Sequence, residues 1–291
     1  MATVTWLDVD GNINNTANYS SGAKPSNGDT FNVPSGNKTV TTNPTGLGAI
    51  NLADALIGVN FTGQWGSVSA PITFGTCTGR LRVNAPRAGL IAVTPVAWPT
   101  VEIADCGEGP SYLYIGGGTI TDLVVLGGGR IVVGASATVT TIHVVGGSGT
   151  RPSPTVDIEA GATVTTLIAT AGVVNNYAAI TNIKYSGSAR VYNLGDASIG
   201  TTTVEGYGSQ ARMQVDAQGT HASVKTYAGA VFDASRDMRT KTVTASIANS
   251  GSQIILGSHV SISTAIARGG RILGVAPTTI EGTPDTLGTV G

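Results

Sequence analysis

One phrase recurs along this chain: an aliphatic residue, a threonine, a polar residue and a second aliphatic residue. It reads Ile120-Thr121-Asp122-Leu123, Val139-Thr140-Thr141-Ile142, Val164-Thr165-Thr166-Leu167 and Ile180-Thr181-Asn182-Ile183. Looser copies begin at Thr201, Val224, Val243 and Ile262, giving spacings of 19, 25, 16, 21, 23, 19 and 19 residues. Short β-branched runs of this kind predict strands, and the helical period of 3.6 is not found in them. A glycine follows each phrase, as at Gly127-Gly128-Gly129, Gly172, Gly187, Gly229 and Gly251. Sharp turns with positive φ favour that residue. After several of these glycines comes a second apolar run, such as Arg130-Ile131-Val132-Val133, Thr155-Val156-Asp157-Ile158, Gln253-Ile254-Ile255-Leu256 and Arg271-Ile272-Leu273. A coil of about 20 residues cannot bury its own inner face, but coils stacked about 4.8 Å apart can share a core. The pattern therefore predicts an all-β fold, a parallel β-helix (β-solenoid) with an irregular β N-terminal cap.

The pattern divides the chain into four parts. Residues 1–45 are dense in Asn, Gly, Pro and Ser and read as turns with two short strands, Thr30–Val33 and Lys38–Thr41. They form a cap or attachment segment, because an open solenoid edge invites pairing with other chains. Residues 46–118 read as irregular early coils with longer loops, including Pro86 to Pro99. Residues 119–275 are the regular array, from which the loop Gly149–Pro154 should protrude. Residues 276–291, with Pro277 and Pro284, read as an extended tail that packs on a neighbour.

Composition narrows the function. Only 11% of the 291 residues are charged and the formal net charge is −1. That leaves no basic field for nucleic acid. No run approaches the 18 apolar residues of a membrane-spanning helix. Cys77 and Cys106 stand in separate apolar contexts and read as buried small side chains rather than a disulfide. The Gly-, Thr- and Ser-rich, weakly charged composition has an extracellular look. The opening MATVTWLDVDGN has neither the basic nor the apolar region of a secretory leader. A virion component, assembled in the host cytoplasm and exposed on the particle exterior, satisfies both.

The opening itself carries a resemblance. Trp6, Gly11-Asn12, Asn15, Ala17-Asn18-Tyr19-Ser20, Pro25 and Gly28-Asp29 resemble the "W…GNWNNAANWS…P…GD" start of β-solenoid proteins. Such proteins occur among bacterial adhesin-like proteins and tailed-phage structural proteins. Asn60-Phe61-Thr62-Gly63, Pro71-Ile72-Thr73-Phe74-Gly75 and the repeats from Ile120 are similar to the phage versions. Ile13 and Tyr19 stand where the family carries tryptophan. The resemblance implies a non-enzymatic structural protein of a tailed-phage virion, a capsid decoration or cement protein. Its partner would be the major capsid protein, and a homotrimer is the favoured assembly because such sites lie on symmetry axes. The alternatives are a tail spike or receptor-binding fibre, some of which cleave polysaccharide, a bacterial adhesin, and a flat-faced ice-binding solenoid.

Candidate chemistry is sparse, and no catalytic, cofactor-binding or metal-binding residue is expected. Asp8-Val9-Asp10-Gly11-Asn12 begins like a calcium loop, but Ile13 occupies the glycine position and Tyr19 that of the bidentate Glu. An Asx-rich turn is the alternative. Gly116-Gly117-Gly118 and Gly127-Gly128-Gly129 open no helix and precede no Gly-Lys-Ser/Thr, so both read as corners. His143, His221 and His259 lack zinc spacing and read as solvated or packed. Asp157 with Glu159, and Asp233 with Asp237, are the acid pairs a glycoside hydrolase would need, or else surface salt-bridge partners. Arg190, Arg212, Arg236, Arg239, Arg268 and Arg271 recur near the glycine corners. They guard an edge or form a contact row for an acidic face.

Overall fold

The computed structural model is an all-β parallel solenoid of about nine turns, roughly 22 residues apart. It describes residues 1–41, 47, 50–106, 112–146, 153–195, 198–205, 212–215, 219–235, 241–249, 251–274, 279–280 and 289–290. The chain divides into two compact units, Met1–Asp157 and Ile158–Gly291.

The first unit contains β1 (Thr3–Thr5), β2 (Thr30–Gly36), β3 (Thr39–Val40), β4 (Asp54–Phe61), β5 (Gln64–Trp65) and β6 (Ile72–Thr76). It continues with β7 (Arg80–Asn84), β8 (Ile91–Asp105), β9 (Tyr112–Val125), β10 (Arg130–Val144) and the start of β11 (Thr155–Ile158). One inward column runs Val4, Phe31, Ala55, Leu81, Val101, Leu123 and Ile142 through seven parallel strands. Every member is buried. A second column, Val40, Trp65, Ile91, Leu113 and Ile131, crosses another wall of the coil. The alternation that placed these residues in the sequence is what points them at one core.

The core of this unit is aromatic. Trp6 meets Tyr19 at 5.5 Å and Trp65 at 5.6 Å, Trp65 stacks on Phe74 at 6.3 Å, and Phe74 meets Trp98 edge-on at 6.0 Å. Residues 6–20 fold back across the open side of β1. Ser20 N donates to Thr5 O, Thr5 N to Ser20 Oγ, and Leu7 N to Asn18 O. The edge of the first coil is thereby covered, as edge protection requires.

One expectation fails in this unit. The loop expected over Pro86–Pro99 is largely strand, because β8 begins at Ile91 and turns a corner without leaving the ladder. Val96 and Ala97 are exposed in succession there, which marks the bend. Gly116–Gly118 lie inside β9, where Gly118 makes the expected corner. Gly118 has φ +85°, and a Cβ on it would stand 1.5 Å from Pro95 O. Gly128 and Gly129 form the expected turn, with φ +29° and +80°.

The second unit has two ladders. The longer strands are β12 (Thr163–Ala169), β14 (Ile180–Ser186), β16 (Ile199–Glu205), β18 (Gly219–Tyr227), β20 (Lys241–Asn249) and β22 (Val260–Arg268). The shorter ones are β13 (Val173–Asn176), β15 (Arg190–Asn193), β17 (Arg212–Val215), β19 (Val231–Ala234), β21 (Gln253–Leu256) and β23 (Arg271–Leu273). Register runs Val164, Ile180, Ile199, His221, Val243 and Ile262 along the first ladder. The repeats read as starting at Thr201 and Val224 are therefore displaced: Ile199 and His221 hold those slots. Corrected steps are 16, 19, 22, 22 and 19 residues, and the differences fall in the corners while the strands stay in register.

Of the expected tail, β24 (Thr279–Ile280) pairs with β22 and β25 (Thr289–Val290) with β23, so these pieces continue the ladders. Gly149–Pro152, Arg236, Asp237, Arg239, Pro277 and Pro284 lie outside the described residues.

Candidate functional site

The opening loop gathers the densest polar cluster of the first unit, and its groups face one another. Asp10 Oδ1 accepts from Asn18 Nδ2 at 2.6 Å and Asn12 N at 2.9 Å, and Oδ2 accepts from Asn15 Nδ2 at 2.5 Å. Asn18 Oδ1 in turn accepts from Val9 N and Asp10 N. Asp8, at φ +57°, accepts from Asn37 N at 2.8 Å, Lys38 N at 3.2 Å and Trp6 Nε1 at 3.3 Å. Hydrogen bonds from Asn15 first, then Asn18 and the Asn12 backbone, hold the Asp10 carboxyl below the usual carboxylate range. Asp8, Asp10 and Asn12 thus build an Asx-rich turn that ties the cap to the second coil.

Within the acid pairs, Asp157 and Asp233 are each held by a partner of their own. Asp157 is buried, and its Oδ2 accepts from Arg130 Nε at 2.5 Å. The Arg130 guanidinium also lies 5.7 Å from the Tyr112 ring centroid. Glu159 falls just beyond the end of β11 at Ile158. Asp233 is buried on β19, where its Oδ1 accepts from Ser235 Oγ at 2.6 Å and Ser235 N at 3.1 Å. That is a local turn contact. Its expected companion Asp237 lies outside the described residues.

The three histidines have three surroundings. His143 Nε2 lies 3.7 Å from Asp122 Oδ1 on the outer face of β9 and β10. His259 is half-buried in a turn before β22. His221 is inside the second unit: 2% exposed, edge-on to Phe232 at 5.4 Å, with Nδ1 3.3 Å from Thr202 Oγ1. Among the described residues its Nε2 has no hydrogen-bond partner, and burial pushes its pKa down to about 4. Cys77 and Cys106 are buried free thiols. Burial, the larger cause in each, raises them to about 11 and about 12.

Apart from His221, sequence reasoning passed over the buried polar groups of the second unit. Thr202, His221, Thr226, Ser246 and Ser252 are all buried, where the first unit buries aromatic rings. Thr226 and Ser252 hydroxyls meet at 2.8 Å, and Asn249 Nδ2 donates to Thr226 O. On the other ladder Asn176 Nδ2 donates to Asn193 Oδ1 at 2.7 Å and to Ala178 O at 2.9 Å. The one sequence signal was Asn176 and Asn193 standing at equivalent ends of two short apolar runs.

Arg190, Arg212 and Arg271 share one register column of the short ladder, while Arg268 stands opposite Asn249 on the long one. Arg80 Nη1 and Arg82 Nε each lie 2.9 Å from the Glu102 carboxylate, the second without hydrogen-bond geometry. All three tryptophans and all four phenylalanines are buried, and Tyr177 and Tyr227 are the exposed aromatics among the described residues. Among those residues no group of three or more His, Cys, Asp or Glu could hold a metal ion. Set against family models, curated proteins and solved structures, the chain matches none of them.

Proposed function

We propose that this chain is a non-enzymatic structural protein of a tailed-phage virion that binds the outside of the assembled capsid as a decoration or cement protein. One observation carries the reading most. Three carboxylates that could do chemistry are engaged by the fold itself: Asp10 by three amide donors in its own loop, Asp157 by Arg130, and Asp233 by Ser235 in a local turn. Such a scaffold acts by presenting a rigid surface, with shape, apolar area and charge doing the binding. The likeness of the opening and of the repeats to phage solenoids supports the same reading. Its partner would be the major capsid protein, met on the particle exterior, and a trimer would suit a symmetry axis.

A tail spike is the second reading. Asp157, Arg130 and Tyr112 favour it, because they put an acid, a cation and a ring side by side on the outer face. Quantitative mass spectrometry of purified particles separates the two. Capsid decoration requires roughly hundreds of copies per particle, whereas a tail position gives on the order of ten. A chain missing from purified particles would overturn both.

A further inference from the structure

Two polar atoms inside the second unit are left over once its internal hydrogen bonds are made. Thr202, Val224 and Ser246 form one inward column on β16, β18 and β20, so the two hydroxyl-bearing residues stand one coil to either side of Val224. Ile199, His221 and Val243 form the inward column that precedes it on the same strands. Every member of both columns is buried. His221 Nδ1 lies 3.3 Å from Thr202 Oγ1, and the ring meets Phe232 of the other ladder edge-on. Among the described residues, His221 Nε2 and Ser246 Oγ have no hydrogen-bond partner.

A buried polar atom without a partner is costly, and folded interiors leave few of them. Two on neighbouring coils of one stack call for a shared explanation. The two ring nitrogens lie on opposite sides of the imidazole, so Nε2 is turned away from the Thr202 coil. The next coil in that direction carries Ser246. Thr202 and Ser246 are two coil spacings apart, about 10 Å at Cα. The contact to Thr202 and the ring itself cover about half of that span. What remains fits one small molecule hydrogen-bonded at both ends. Val224, Phe232 and Val243 beside it are apolar, which favours a neutral ligand over an ion.

We propose that His221 and Ser246 hold a buried water molecule between two coils of the second unit. Nε2 bonds it from one coil and the Ser246 hydroxyl from the next. Water both donates and accepts, so it satisfies either tautomer of a neutral imidazole and either role of a hydroxyl. It is then a fixed part of the stack, as ordered interior waters are. The inference does not rest on the capsid-decoration reading.

A high-resolution crystal structure of the full-length chain tests this directly. It should show one peak of solvent density within hydrogen-bond distance of both His221 Nε2 and Ser246 Oγ. In solution, NMR at neutral pH should give a cross-peak between the His221 ring protons and a long-lived water. Ser246→Ala removes one of the two anchors, and that cross-peak should be lost. Ser252→Ala is the control: it removes a buried hydroxyl that bonds Thr226 instead, and the cross-peak should persist. Each variant lacks a single oxygen, and a cooperative melt checks that it folds. A crystal structure with no density between the two side chains, or with His221 Nε2 bonded directly to a protein group, would overturn the proposal. So would a cross-peak that survives Ser246→Ala unchanged. None of these results alters the copy number on particles, so this inference and the capsid reading fail separately.

Discussion

At the scale of single residues, two positions bear consequences that can be measured. Gly118 turns a corner inside β9 at φ +85°, with Pro95 O where a Cβ would go. Gly118→Ala should therefore destabilise the protein by about 3 kcal/mol or more, read from denaturant midpoints, because both the backbone conformation and the contact forbid it. His221 is buried and neutral, with its pKa lowered to about 4. The unfolded chain takes up the proton first, near the ordinary value of about 6.5. Stability is thus complete above that pH, falls as pH drops towards 4, and levels off below. The loss should reach about 3 kcal/mol, on the order of a hundredfold in the folding equilibrium. His221→Val, matching Val243 beside it in the column, should flatten this slope in pH-dependent melts. An unchanged slope would show that another group is responsible. Asp10 titrates in the opposite sense: its lowered value adds stability above the usual carboxylate range, and that stability is lost as pH falls through the folded value. The sequence showed His221 only as a lone histidine. Nothing in its neighbours placed it in an aliphatic slot, because Gly200 and the Thr201–Thr203 run disguised the repeat.

Elements were more legible than residues. Alternation and glycine spacing were enough for parallel stacked coils, because inward columns such as Leu123 and Ile142 must be apolar in every coil. The corners were not legible. Their lengths vary from coil to coil, so counting residues misplaced two repeats and hid a 15-residue strand, β8, behind Pro95 and Pro99. Strand ends were not legible either: spacing suggests which residues share a strand, but not where it stops, and β11 ends at Ile158, before Glu159. Two substitutions test the elements. Trp65→Ala removes the ring on which Trp6, Phe31, Phe61 and Phe74 converge. It should cost about 3–5 kcal/mol in chemical denaturation. Asn193→Leu strips Asn176 Nδ2 of its acceptor on the next coil. It should cost about 1–3 kcal/mol, since a buried polar atom is left short of a partner.

For the whole molecule, both units follow one rule: strands stay in register while corners absorb differences in length. That rule makes a scaffold whose outward columns are regular, with His221 taken into the stack. The fold and the division between inward and outward columns could be read from the chain. A partner could not, because outward positions are not constrained by the core. The most direct test of the register is a cysteine pair placed on two opposed outward positions. Asn182→Cys with Thr201→Cys joins residues that are register partners on β14 and β16, about 4.8 Å apart at Cα, within disulfide reach. Asn182→Cys with Ser223→Cys spans two coils, about 10 Å, and lies beyond it. The account predicts that mild oxidation closes the first pair and not the second, with the buried Cys77 and Cys106 unreactive. Closure of the second pair, or failure of the first in the folded protein, would contradict it.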